Sequence, residues 1–331
     1  MKHYTIPVFL PELACPNRCV FCNQYSIATK QQVPSKEIVI QTIKQHLQNF
    51  IQSERSVELA FFGGNFTGLP QSMQRDYLAL VQPFLESNQI QAIRISTRPD
   101  FIDVERLNIL KSYGVKRIEL GMQSSDAQVL ALSGRGHSVE DTEKSSKLIL
   151  NEGFTLGLQM MIGLPGDSVK KSQKTAIDII RLGAHETRIY PCVVIQHTEL
   201  EKLYHSGTYT PLSLDEAVSQ TAVLHKMFEK ATVKVLRMGL HASEDLNGSA
   251  FVAGPYHINF AEMVFSHQWR KRFENTKIPQ TKQLQIAVHP SQRTHAIGYK
   301  AENKKFLLQF AENIRFTNDS SLAKNEFKIV C

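Results

Sequence analysis

Short apolar runs alternate with longer amphipathic segments across residues 5–240, and few folds accommodate that rhythm. The runs at 5–10, 57–62, 92–97, 117–122, 155–162, 187–195 and 234–240 read as strands. Residues 36–51, 71–85, 104–113, 139–151, 170–182 and 214–230 read as helices between them; Ile38, Ile40, Ile43, Leu47 and Phe50 mark the apolar face of the first. Strand–helix units recurring about every 25–35 residues imply parallel strands joined by right-handed crossovers. The expected fold is therefore α/β, a partial or complete parallel (β/α) barrel with a small C-terminal α/β appendage. The division falls at 1–245 for the core and 246–331 for the smaller domain, which is expected to touch substrate or RNA.

Three of the five cysteines crowd into one loop after the first strand, as Cys15-Pro-Asn-Arg-Cys19-Val-Phe-Cys22. This C-x3-C-x2-C spacing does not look like a disulfide framework and suits a metal site in a reducing compartment. Soft thiolates select zinc, copper(I) or an iron–sulfur cluster. Structural zinc and four-iron clusters both take four protein ligands as a rule, so three local thiols suggest a cluster with one iron open to a non-protein ligand. A zinc loop completed from elsewhere, or free structural thiols, are the other readings. No stretch approaches the roughly twenty apolar residues of a membrane-spanning helix, and the N-terminal apolar run is too short and Pro-interrupted for a signal peptide. A cytoplasmic protein without a membrane partner is expected. The net charge of +7 is compatible with a polyanionic partner.

In parallel α/β folds the active site lies beyond the C-terminal ends of the strands, and the unusual residues gather there. The first strand runs into the cysteine loop. The next ends are Gly63-Gly64-Asn65-Phe66-Thr67, Ser96-Thr97-Arg98-Pro99-Asp100, Gly121-Met122-Gln123-Ser124 and Ile162-Gly163-Leu164-Pro165-Gly166.

The cysteine spacing, with Phe21 ahead of Cys22, resembles the signature of the radical S-adenosylmethionine (SAM) superfamily. GMQSSDAQVLALSGRGHSVEDTEKSSKLILNEGF followed by LQMMIGLPGD is similar to the core shared by the elongator catalytic-subunit family and oxygen-independent coproporphyrinogen III oxidase. STRPDFI and RIYPCVVIQHTELEKLYHSGTYTPLSLDEAV lean toward the elongator side, and the resemblance covers about residues 5–245. It implies an enzyme in which Cys15, Cys19 and Cys22 hold a [4Fe–4S] cluster whose open iron chelates SAM. The reduced cluster then cleaves SAM to a 5′-deoxyadenosyl radical that abstracts hydrogen from substrate. It also implies that Phe21 packs near the adenine, and that Gly63, Gly64 and Asn65 meet the methionyl amino group. Gln123 and Arg135 would contact the ribose and carboxylate end, Gln159 a further part of SAM, and Val193 or Val194 the adenine. An electron donor such as flavodoxin or ferredoxin and a tRNA substrate complete the implied partners.

Two departures stand out. Ser96 occupies a position where relatives usually carry Glu, so the SAM contact there is weakened or remade. The elongator family spaces its first cysteines more widely and carries an acetyltransferase domain for which no room is expected here, which puts its acetyl-donor reaction in doubt. The alternatives are a tetrapyrrole-type small-molecule oxidase and a SAM- and cluster-binding protein without turnover.

Past residue 245, Arg270-Lys271-Arg272 beside Trp269 is either a phosphate- and base-contacting cluster or an exposed helix face. Residues 284–288 read as a strand. Gly298-Tyr299-Lys300-Ala301 is similar to the backbone-clamping GXXG loop of KH modules, with Ala301 at the second glycine. Gly254-Pro255-Tyr256-His257 reads as a turn, Cys192 as a core thiol and Cys331 as free.

Overall fold

The computed structural model describes residues 2–10, 15, 19–23, 34–50, 55–241 and 244–330. In chain order the elements of the larger part are β1 (Lys2–Phe9), α1 (Lys36–Asn49), β2 (Arg55–Phe62), α2 (Gln71–Ala79), α3 (Gln82–Glu86), β3 (Ala92–Thr97), α4 (Val104–Ser112), β4 (Val115–Gln123), α5 (Ala127–Leu132), α6 (Val139–Asn151), β5 (Thr155–Ile162), α7 (Val169–Arg181), β6 (Glu186–Pro191), β7 (Val194–Ile195), α8 (Glu199–His205), α9 (Leu214–Lys230) and β8 (Lys234–Met238). There follow α10 (Glu244–Asn247), β9 (Phe251–Ala253), α11 (Phe260–Glu274), β10 (Thr281–Val288), α12 (Arg293–Ile297), α13 (Glu302–Leu307), β11 (Ala311–Asn318) and β12 (Phe327–Val330).

Seven strands form one sheet in the order β1-β2-β3-β4-β5-β6-β8, every neighbouring pair parallel. The sheet curls into a partial barrel; among the described residues β1 and β8 stay at opposite edges. Its inner strands β2 to β6 are buried along most of their length, as helix-covered parallel strands must be; Leu59, Ile93, Ile95, Ile118, Leu156 and Leu158 are fully enclosed. Local chemistry sets the helix ends. Ser138 with Asp141, and Ser213 with Glu216, form capping boxes at the starts of α6 and α9. Gly114, at φ 79°, follows α4 where a left-handed residue is needed.

Two expectations are corrected, and one helix was not foreseen. Residues 71–85 form two helices, because Pro83 in the first turn of α3 cannot continue the ladder from α2. Residues 187–195 break at Pro191, and β7 turns away to pair antiparallel with β9. Helix α5, too short to show a full apolar period, is absent from the sequence reading.

The C-terminal sheet has the order β11-β10-β12, with β10 parallel to β11 and antiparallel to β12. Helix α11 belongs to two cores: Phe260 and Val264 sit in that of the barrel, Trp269 and Phe273 in that of the small sheet. Trp269 is buried, donates from Nε1 to Gln292 Oε1 at 3.1 Å, and so has no face for a base. Arg270 and Lys271 pair with Glu274 along the helix, while the half-buried Arg272 lies over the Trp269 ring.

Candidate functional site

The segment bearing the cysteines is pinned from three sides. Val20 N donates to Ser133 O at 3.0 Å, Leu200 N donates to Val20 O at 2.8 Å, and Asn23 Nδ2 donates to Gln196 O at 2.9 Å. Phe21 and Val20 pack on a small apolar cluster that includes Val129, Leu164, Cys192 and Val194. Phe21 and Val194, separate candidates in the sequence, thus share one wall, while Val193 falls in a neighbouring cluster with Ile195 and Leu246. Cys19 is buried, and Cys15 and Cys22 are half-buried. Among the described residues no three His, Cys, Asp or Glu side chains converge as a preformed metal set, and residues 16–18 lie outside the described chain.

Two guanidinium groups flank these thiols. Arg135, 7% exposed, reaches back from the turn after α5, donating from Nη2 to Gly121 O at 2.7 Å and from Nη1 toward Cys19 Sγ at 3.5 Å; its Nε is buried without a partner. A Cβ on Gly121 would come 2.6 Å from Arg135 Nη2 and 2.9 Å from Gln123 Nε2, so the glycine makes the room both side chains occupy. Arg98, fully buried at the end of β3, is held by Asp100 through bonds of 2.9 and 2.8 Å, with Nη1 unpartnered. Burial alone would weaken its basicity, but Asp100, and beyond it Cys19 and Cys15, raise it. A buried cation with a donor to spare favours nearby thiolates and anionic ligands.

The other strand ends supply shape. Gly63 has φ 96°, and a Cβ there would lie 2.4 Å from Leu10 O, so only glycine lets the end of β2 pass this close to the chain leaving β1. Gly64 is also left-handed, at φ 39°. Asn65 Oδ1 accepts from Thr97 Oγ1 at 2.7 Å and from Arg98 N at 3.4 Å, tying β2 to β3. Gln123 closes β4 at φ 64°, beside a register shift against β5. Left-handed non-glycine backbone next to a bulge is a local outlier of the kind that clusters at functional sites.

Gln159 and Ser96 lie in a different setting. Gln159 Nε2 donates to Glu119 Oε2 at 2.7 Å, within an ionic layer lining the barrel interior. There Arg188 Nε and Nη2 reach Glu119 at 2.7 and 3.0 Å, Arg94 bridges Glu119 and Glu58, and Arg117 reaches Glu58 at 2.8 Å. Ser96 is in register with Glu119 across β3 and β4, and its Oγ is buried without a partner. A carboxylate does stand level with Ser96, one strand over, although Arg94 and Arg188 engage it.

Sequence reasoning missed Arg98 and His137. His137 is buried between these guanidiniums; burial, then Arg135 and Arg98, push its imidazole down to about 3. Its Nε2 lies 3.3 Å from Met122 O and its Nδ1 has no partner. Arg98 was visible in Ser96-Thr97-Arg98-Pro99-Asp100, where an Arg two residues from an Asp at a strand end hinted at a held guanidinium. Cys192 is a core thiol, raised to about 12 by burial. Cys331 lies outside the described residues.

These residues fit an iron–sulfur cluster and a SAM molecule: soft thiols, two buried cations with unpartnered N–H groups, and a glycine-bounded strand end. The comparisons agree. Residues 13–179 match the model of the Radical SAM superfamily, and residues 174–270 match the Radical_SAM C-terminal domain. A tRNA uridine(34) acetyltransferase of Methanocaldococcus infernus is 31% identical over 54% of this chain and 33% of its own. The heme chaperone HemW of Bacillus subtilis is 27% identical over 64% of this chain and 57% of its own. The chain thus spans about a third of the length of the archaeal acetyltransferases it matches. The solved structure of Methanocaldococcus infernus Elp3, lacking its N-terminal 46 residues, superposes on 82% of this chain and 63% of its own, with a TM-score of 0.66 at 23% identity. Thiols, flanking cations, parallel partial barrel and family match converge: the chain belongs to the radical SAM superfamily.

Proposed function

We propose that Cys15, Cys19 and Cys22 hold a [4Fe–4S] cluster, with SAM beside it, and that the enzyme modifies RNA, with tRNA as substrate. The observation that carries this reading is the buried Arg135 guanidinium on the Cys19 sulfur, its Nε still without a partner. When bound, the cluster would supply the electron that splits the SAM sulfonium and so generates the radical that takes hydrogen from substrate.

The chain's own residues bind, orient and shield. Arg135, placed by Gly121 O, offers a spare donor to the SAM carboxylate, and Gln123 an amide beside it. Asn65, with Gly63 and Gly64, would meet the methionyl end, and Phe21 with Val194 would give an apolar wall for the adenine. His137, neutral over the ordinary pH range, adds no positive charge to a site that already holds two. The packed apolar cluster under the cysteine loop keeps water from a reactive carbon centre. We assign the SAM-binding core to residues 1–245 and the smaller domain to 246–331, with α11 bridging their cores.

Support for tRNA comes from the relatives named as tRNA uridine(34) acetyltransferases and from the net charge of +7. Flavodoxin or ferredoxin would supply the electron, and a thiol site of this kind suits a reducing compartment such as the cytoplasm. A second reading, tetrapyrrole handling, is favoured by the relative named heme chaperone.

The test is anaerobic reconstitution with iron and sulfide, then dithionite and SAM, with 5′-deoxyadenosine measured with and without bulk tRNA. Wild type should form it, tRNA should stimulate it, and Cys19→Ala should abolish it. Zinc bound in place of a cluster would overturn the reading. A shifted Soret band on adding heme, with no response to tRNA, would transfer the case to the second.

A further inference from the structure

We infer that the small C-terminal sheet carries a binding groove for a single-stranded stretch of RNA. β10, α12, α13 and β11 form a β-α-α-β unit whose two strands pair in parallel, from Thr281↔Ala311 to Val288↔Asn318. The two helices meet at Gly298-Tyr299-Lys300-Ala301. Two short helices joined by such a loop beside a sheet are the arrangement by which KH modules clamp about four nucleotides of backbone.

The second glycine of that motif is Ala301 here, yet the backbone keeps a glycine-like shape: φ 59°, ψ 29° at Ala301, and φ 51°, ψ 29° at Lys300. Residues with a Cβ hold such angles only where the surroundings impose them. Tyr299 N donates to Ser266 Oγ at 2.6 Å, Asn303 Nδ2 to Ser266 O at 2.9 Å, and Ala301 N to Gly298 O at 2.9 Å, so α11 sets the loop. A Cβ on Gly298, at φ 89°, would lie 2.8 Å from Asn303 N.

Between these helices and β11 lies a groove of ≈ 430 Å³, its apolar part formed by Ile297, Ile314 and Phe316 and its charged part by Arg293, Lys304 and Arg315. No acidic residue lines it. Among the described residues no ion pair engages these three cations, whereas Arg270 and Lys271 are spent on Glu274. β11 is an edge strand, so its outer N–H and C=O groups have no strand partner among the described residues. Free cations for phosphates, the half-buried Ile297 beside the edges of the core residues Ile314 and Phe316 for base contact, and an open strand edge for base hydrogen bonds suit an unstacked single strand, and do not suit a duplex. The choice of RNA over DNA rests on the proposed function; the groove's chemistry does not depend on the cysteine site.

The test is fluorescence anisotropy of the full chain with a short labelled single-stranded RNA across a salt series. Arg293→Ala/Lys304→Ala/Arg315→Ala should bind at least about tenfold more weakly and lower the log–log salt slope by about two. Lys300→Asp/Ala301→Asp, at positions whose left-handed backbone Asp tolerates, should weaken binding as much while melting like wild type. Lys226→Ala/Lys271→Ala/Lys328→Ala, in a second groove, should leave both readouts unchanged. The proposal is overturned if the first variant binds like wild type, if the control variant loses as much, or if blunt duplex RNA competes equally. Deoxyadenosine formation without RNA should persist in every variant; its failure in wild type would sink the proposed function and leave the groove standing.

Discussion

Arg135 Nη1 lies 3.5 Å from Cys19 Sγ although 116 residues separate them, and Gly121, on a third element, leaves the space through which the guanidinium passes. Removing the cation and closing its space should therefore have the same effect. Arg135→Ala is expected to weaken SAM binding by about 1.5–3 kcal/mol, the worth of a hydrogen bond to a charged group. Lys should rescue poorly, lacking the planar fork. Gly121→Ala should reproduce the loss with little change in melting temperature, since its Cβ meets only the ends of two side chains. Equilibrium binding of SAM to reconstituted protein checks this; wild-type affinity in Gly121→Ala would refute it.

Gly63 meets backbone instead. With φ 96° and a would-be Cβ 2.4 Å from Leu10 O, Gly63→Ala must move the chain leading into the cysteine loop. A cost of about 1–3 kcal/mol is expected, along with reduced iron per chain after reconstitution. Full iron loading at unchanged stability would contradict it.

Glu119 anchors the ionic layer of the barrel. Burial works against its ionisation, but Arg188, Arg94 and Gln159 outweigh it and hold the carboxyl below its ordinary value of 4.5. A depressed folded pKa gives stability that is present above 4.5 and lost as pH falls through the folded value. Glu119→Gln should cost about 3–5 kcal/mol near neutrality, because Arg94 and Arg188 remain buried and undercompensated. Urea unfolding is the measurement, and a change below about 1 kcal/mol would show that the layer relaxes.

His137 acts in a higher window. Unfolded, its imidazole titrates near 6.5; folded, it does so at about 3. The unfolded chain takes up the proton first, so stability declines as pH falls from 6.5 toward 3 and is unaffected above 6.5. His137→Gln should flatten part of the decline between 6.5 and 4.5, where Glu119 does not contribute. Identical urea midpoints for both proteins across that window would exclude His137 as its source.

What the sequence determined by itself is whatever depends on near neighbours. Apolar runs of strand length, helical periodicity and capping residues are local, so Ala92–Thr97, Val139–Asn151, Thr155–Ile162 and Leu214–Lys230 were readable to the residue. The cysteine loop, and the placing of polar residues after each strand, followed from the same patterns. Prolines set the limits of that reading, since Pro83 and Pro191 ended segments whose apolar pattern ran on. The tertiary structure alone decided which distant charges meet. The Arg98–Asp100 spacing hints at a held guanidinium but not at the thiols it faces, nothing near His137 announces burial beside Arg135 and Arg98, and nothing near Gln159 announces Glu119, because each contact depends on sheet order and register. Trp269 shows the same limit: its basic neighbours suggest a surface, while packing against the sheet built from Thr281–Val288, Ala311–Asn318 and Phe327–Val330 buries it. Curvature of the sheet brings strand ends together, and the chemistry of the site is a property of that curvature.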